Sequence, residues 1–152
     1  LLFLYKYNNI LFICQLFISM KLLNILLENV EIPFKKKCVM NISNNGGETI
    51  SVDCEVPTTE EEKATGLMNR DSLGENSGMY YDYVGGGFWM DNVKFPIEMV
   101  FVNDDEIVEI KKAKAYDKTS VYPSVESNGN LEVNDGFCED NNISIGNKIY
   151  KS

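Results

Sequence analysis

Apolar and polar positions begin to alternate at Cys38. Cys38, Met40 and Ile42 are separated by polar or exposed positions, and Asn44-Asn45-Gly46-Gly47 then supplies a turn. Beyond it Ile50, Val52, Cys54 and Val56 alternate with Thr49, Ser51, Asp53 and Glu55. Period two on both sides of an Asn/Gly turn predicts a β-hairpin with one buried face. After Pro57 the period changes. Thr58 with Glu61, or Thr59 with Glu62, can form a capping box, and the acidic first turn suits the helix dipole. Gly66 gives that short helix an exit, with Leu67 and Met68 turning inward. Further strands are predicted at 78–84, 87–90, 97–102 and 106–116, with Asn103-Asp104-Asp105 as a turn. Weaker ones follow at 120–125 and 130–135, then a loop or single helical turn over 136–142 and a last strand in Ile145–Lys151. Many short strands with one small helix imply a single mainly β domain, as a β-sandwich or barrel.

The first thirty-five residues do not share this pattern. They are rich in Leu, Ile, Phe, Tyr, Asn and Lys and begin on Leu1. Lys21 interrupts the apolar run from Tyr7 to Met20 before it reaches the roughly 20 residues that a membrane helix needs. Lys6 followed by an apolar stretch resembles a signal peptide, but no small-x-small cleavage site follows. Translation from Met20 or Met40 would remove most of the segment. Residues 1–35 are therefore read as an N-terminal extension, with a signal or anchor as the alternative, and residues 36–152 as the domain. A soluble, cytoplasmic placement is preferred, and a membrane enters only if the N-terminal segment is native.

Charge and composition then narrow the chemistry. The net charge is -9, and without a compensating basic stripe it argues against nucleic acid as a partner. Lys35-Lys36-Lys37 reads as a solvated boundary. Histidine is absent, which excludes Ser-His-Asp and Cys-His catalysis and removes the commonest transition-metal ligand. Cys14, Cys38, Cys54 and Cys138 show no Cys-x-x-Cys spacing. Buried free thiols are the preferred reading, with a Cys38–Cys54 or Cys54–Cys138 bridge as the alternative. Asp104-Asp105-Glu106 lacks the spacing and glycine of a calcium loop and reads as a hairpin tip. No cofactor motif and no metal site are indicated.

Four ordered stretches carry a resemblance. Glu62-Lys63-Ala64-Thr65-Gly66-Leu67-Met68-Asn69-Arg70, Gly78-Met79-Tyr80-Tyr81-Asp82-Tyr83, Phe88-Trp89-Met90-Asp91-Asn92-Val93-Lys94-Phe95-Pro96-Ile97-Glu98-Met99-Val100-Phe101, and Leu131-Glu132 followed by Gly136 resemble the pattern of domain-of-unknown-function family 192. The likeness covers roughly residues 48–150. It implies a single-domain antiparallel β-sandwich of jelly-roll-like architecture and no established activity. Lys63 stands for the family's arginine, Asp91 for its lysine, Val93 for its threonine and Glu98 for its aspartate. Asp91 reverses a charge beside the tryptophan, which puts in doubt any anionic ligand that a lysine would serve.

Candidate chemistry concentrates in those stretches. Arg70 is the only arginine among 14 basic residues, and its planar fork suits bidentate contact with a carboxylate or phosphate. It either binds a ligand or pairs internally with Glu98 or Glu132. Trp89, with Tyr80, Tyr81 and Phe88, either forms a platform for a planar ligand or fills the core. Asn92 either orients a ligand or caps the turn before Pro96. Met68, Met79, Met90 and Met99 read as core filling rather than copper ligands. Gly85-Gly86-Gly87 lacks the residues of a phosphate loop.

Arg70, Tyr81, Trp89, Asn92, Glu98 and Glu132 thus form the candidate ligand-binding set, with no catalytic residue assigned. The expected function is a non-catalytic binding module for a polar small molecule or protein partner. One alternative is a hydrolase of glycosidic bonds using Glu98 and Glu132, which needs the two carboxyls about 5–9.5 Å apart. The other is a structural or assembly component.

Overall fold

The computed structural model describes residues 34–82 and 86–152; the readings attached to the N-terminal extension up to residue 33 lie outside the described residues. The predicted hairpin forms from β1 (Lys37–Ser43) and β2 (Thr49–Glu55), with Cys38 opposite Cys54 and Ile42 opposite Ile50. Helix α1 (Glu60–Thr65) follows. Of the two possible capping registers the chain uses Thr59 with Glu62. The threonine hydroxyl accepts the Glu62 N–H, and the Glu62 carboxylate accepts the Thr59 N–H, both at 3.1 Å. Strands β3 (Ser77–Tyr81), β4 (Ile97–Asn103), β5 (Glu106–Ala113) and β6 (Gly129–Asn134) come next, then the one-turn helix α2 (Phe137–Asp140) and β7 (Lys148–Lys151). No helix among the described residues is long and apolar enough to cross a membrane.

The strands form one closed sheet in the order β1-β2-β3-β6-β4-β5-β7, with β7 pairing back onto β1. The expected two-sheet sandwich gives way to a barrel. Short alternating strands look alike in both architectures; what separates them is whether the outermost strands find each other, and here they do. The sheet is also not wholly antiparallel, since β2 and β3 run parallel. The crossover through α1 reverses the chain and makes that pairing possible.

Two of the predicted strands do not join the sheet. The 87–90 and 120–125 stretches meet only in an isolated bridge, Phe88 with Val121, closed by hydrogen bonds of 2.7 and 2.8 Å. Glycines before Phe88 and Pro123 after Val121 weaken both as strands. The β4–β5 hairpin turns on Asp104 and Asp105, both at positive φ (46° and 64°). This is the sign that two-residue hairpin turns of the primed type require, and Asp tolerates it.

The core lies on both sides of the sheet. One cluster draws Met40, Val52, Tyr80, Leu131, Val100, Ile107 and Ile149 from all seven strands in turn and fills the barrel interior. A second, with Met79, Tyr81, Ile97, Met99, Phe101 and Ala113 from β3, β4 and β5, lies on the outer face beneath Leu67, Met90 and Val93. Strand β4, Ile97 to Val102, is consequently buried at every position. Each large apolar side chain so buried contributes about 1.5–3 kcal/mol.

Gly66 joins α1 to the cover of that outer face. Its φ of 48° with ψ of -127° suits glycine alone, and a β-carbon there would stand 2.7 Å from the Tyr81 hydroxyl. Gly66→Ala is expected to destabilise the domain by about 1–3 kcal/mol. Urea denaturation checks it: the midpoint should fall while the slope stays unchanged.

Candidate functional site

The outer cover is built from the exit of α1, residues 66–70, and from residues 86–93. It does not fill all the space above β3, β6 and β4. A cleft of about 360 Å³ remains, lined by Leu67, Met68, Phe88, Trp89, Met90, Val93 and Ile97, with Tyr81 and Glu132 facing it from the sheet. Lys63 and Glu60 of α1 stand along one side. The volume and the mostly apolar lining suit a small molecule.

Strand register decides which carboxylate reaches the cleft. Glu132 of β6 lies between Met79 on β3 and Met99 on β4, and so shares their outer face. It is 5% exposed. No described residue donates a hydrogen bond to its carboxyl, which is flanked across both strands by thioethers. Burial pushes its pKa up to about 8 against the partial opposition of the Arg70 charge, so near neutral pH the group is mostly a protonated acid. Tyr81, whose hydroxyl donates to the Met79 sulfur at 3.3 Å, is pushed well above the ordinary phenol range by burial and by Glu132.

Glu98 belongs to the other face. It pairs in register with Val133 and lies inside the barrel, where it accepts the Cys138 N–H at 2.8 Å at the start of α2 and a 3.4 Å contact from Lys112. The two glutamates are thus separated by the thickness of the sheet, and the pairing required for glycosidic acid–base work does not form.

Arg70, 4% exposed, is an internal anchor. Its guanidinium meets Glu55 at 2.6 and 3.0 Å in a fork-to-fork pair and lies 5.6 Å over the Phe34 ring. Internal pairing was one of its two readings, yet among the described residues the carboxylate it pairs with is Glu55 and neither Glu98 nor Glu132. Burial tends to raise the Glu55 pKa, but hydrogen bonds from Arg70 and from the Phe34 N–H outweigh it and leave the pKa lowered. Asn92 stands outside the cleft. It takes a positive φ of 53°, and its carbonyl accepts the Asn69 N–H at 2.9 Å, a turn role.

Trp89 is 46% exposed and lines the cleft, so it does not fill the core. Beside it Phe88 packs edge-on against Tyr81 at 5.1 Å and against Phe101 at 5.9 Å, giving the cleft a rigid aromatic wall. Met79, Met90 and Met99 are fully buried core residues. Cys38, Cys54 and Cys138 are free thiols, and Cys14 lies outside the described residues.

The structure therefore brings together Tyr81, Trp89 and Glu132, places Arg70 behind them, and leaves Asn92 and Glu98 elsewhere. Sequence reasoning missed Glu55 and Asn130. Asn130, wholly buried two residues before Glu132 on the same face, has neither amide atom hydrogen-bonded among the described residues. The polar half of the alternation Asn130-Leu131-Glu132-Val133 was a usable signal, but it ordinarily marks a solvent face.

The sequence profile of the family described as "Uncharacterized ACR", domain of unknown function 192, matches residues 41–150. No curated protein matches the chain. Similar crystal structures include two from bacteria. A protein of unknown function from Novosphingobium aromaticivorans DSM 12444 is 28% identical with a TM-score of 0.69, over 75% of this chain and 84% of that one. A candidate transcription regulator from Sinorhizobium meliloti 1021 is 23% identical with a TM-score of 0.71, over 80% of this chain and 98% of that one. The latter likeness carries the fold alone.

Two outcomes are expected of the buried charges. Arg70→Lys, which keeps the charge but loses the fork, should lower stability by about 1–3 kcal/mol in thermal denaturation. For Glu132 the folded pKa of about 8 stands above the ordinary 4.5. Its protonated form favours folding, a contribution complete below the unfolded pKa and lost as pH rises through the folded one. Relative to Glu132→Gln, the unaltered protein should lose roughly 1.4 kcal/mol per pH unit across that window. Paired urea titrations at several pH values measure the difference.

Proposed function

The chain belongs to domain-of-unknown-function family 192, and from that premise we propose that it is a non-catalytic binding module for a polar small molecule. The ligand occupies the cleft between Trp89 and Glu132. One observation carries the reading: a carboxyl that no described residue satisfies faces a mainly apolar, aromatic-walled cleft of small-molecule size. A buried polar group without a partner costs about 1–3 kcal/mol, and a ligand that supplies the partner recovers that cost. Trp89 offers the ligand a flat, half-exposed face, and the Tyr81–Phe88–Phe101 stack holds the wall behind it rigid. Little reorganisation is then needed on binding, which favours affinity.

Glu60, the other acid along the cleft, is exposed and paired with Lys63 at 2.8 Å. Glu98, the candidate partner of Glu132, is engaged by the α2 backbone on the other face of the sheet. A binding role therefore fits the geometry better than hydrolysis.

Trp89 is the only tryptophan and reports on the cleft directly. A thermal-shift screen with neutral, cationic and anionic small polar molecules is expected to yield a class that raises Tm and shifts Trp89 emission. At a ligand concentration about a hundred times Kd the gain in stability is about 2.7 kcal/mol, and Trp89→Ala should diminish it. Unchanged Tm and unchanged emission across all three classes would count against a small-molecule site and favour an assembly role.

A further inference from the structure

Glu132 is the carboxyl at the cleft that has neither an ion-pair nor a hydrogen-bond partner among the described residues, and the Arg70 charge only partly offsets its burial. From the α1 side, Lys63 is paired with Glu60 at 2.8 Å. Behind the cleft, Arg70 is paired with Glu55 at 2.6 Å. From β3, Tyr81 faces Glu132 as a neutral phenol. The β4 residues that line or flank the site, Ile97 and Met99, carry no charge, nor do Phe88, Trp89, Met90 or Val93 from the outer cover. An anionic ligand would have to compete with Glu55 for Arg70 in its largely buried fork, and with Glu60 for Lys63 in an exposed pair. A cation would find one carboxyl without a partner and an aromatic wall whose π-faces attract positive charge.

We propose that the cleft selects an organic ammonium: a protonated amine carried on a compact hydrocarbon or aromatic body. The ammonium is held by the Glu132 carboxylate, and the body rests between Trp89 and the Phe88–Tyr81 wall. This rests on the cleft being a small-molecule site and adds the chemical class of its occupant. The surrounding field agrees, since a protein of net charge -9 attracts cations. Binding is coupled to a proton. Free Glu132 is mostly a carboxylic acid at neutral pH. As the ammonium enters, the acid gives its proton to solvent and the resulting carboxylate accepts the N–H bonds. One proton is released and the ligand keeps its own charge.

The coupling fixes the sign of the pH dependence. Ammonium affinity rises with pH until Glu132 is ionised in the free protein, then levels off. With a free pKa of about 8 the gain between about pH 6 and pH 8 is roughly fiftyfold. A carboxylate ligand, which needs Glu132 protonated, shows the opposite slope.

The test compares three probes of one shape, phenethylammonium, 2-phenylethanol and 3-phenylpropanoate, on the full chain. Trp89 fluorescence titration and calorimetry in buffers of different ionisation enthalpy are run from acidic to mildly alkaline pH. The expected result is preference for the ammonium, an affinity that rises with pH as above, and release of about one proton per ligand at the acidic end. Glu132→Gln should abolish both the slope and the proton release; the profile of the unaltered protein stands as a test even if that variant folds poorly. Equal or tighter binding of the alcohol or the carboxylate overturns the ammonium assignment and leaves the cleft a small-molecule site. If none of the three perturbs Trp89, the ammonium assignment fails, and the broader screen then decides the cleft separately.

Discussion

A sheet whose strands are apolar on both faces must be covered on both faces. Closing the barrel satisfies the inner face of β3, β6 and β4, but their outer side chains, Met79, Met99 and Phe101 among them, stay fully buried and need a second layer. The chain supplies it from irregular segments with little regular structure of their own. Long-range ties keep these segments in place: Arg70 to Glu55, Asn69 to Asn92, Phe88 to Val121, and Lys94 to Asp71 at 2.6 Å. The first is the strongest in kind, a buried bidentate ion pair, while the exposed Lys94 pair contributes little. The cleft is the space that this second layer leaves open. Its shape depends on the barrel beneath and the anchors beside it.

Glu132 runs against the general economy of such an arrangement. Between two methionines an alanine or valine would pack without desolvating a charge, yet the position holds a carboxyl with no hydrogen-bond donor among the described residues. Departures of this kind from local consistency gather where a protein does something other than fold. Asn130, on the same strand and face, departs in the same way. Together they make the outer side of β6 a polar seam within an apolar layer.

Much of the fold was legible because it is local. The β1–β2 hairpin, α1 with its capping box and the β4–β5 hairpin follow from period, turn residues and caps within a few positions of each other. Closure of the barrel was not legible, because nothing near β1 or β7 states that they pair. The bridge between Phe88 and Val121 was misread as two strands for a related reason: aromatic and branched residues favour extended backbone whether or not a sheet accepts them. At the site, Trp89, Tyr81 and Glu132 could be selected as unusual residue types, but Glu98 was grouped with them wrongly. A single step of register separates the faces of a strand, and only the pairing of β4 with β6 reveals which face each acid takes. Arg70 was recognised as distinctive for its chemistry, and its partner was missed because Glu55 sits at the end of a strand whose own pattern gives no hint of a helix exit above it.

The seam between β1 and β7 has a consequence for biogenesis. The Asn41 carboxamide reaches Ser152 across a separation of 111 residues, and β7 leaves the ribosome after the six other described strands. Until then β1 and β5 each present an open edge, the kind of surface on which neighbouring nascent chains can stack. The four residues of β7 therefore act as a late clasp: short enough to pair quickly, and the step after which the domain no longer offers a sticky rim to its siblings.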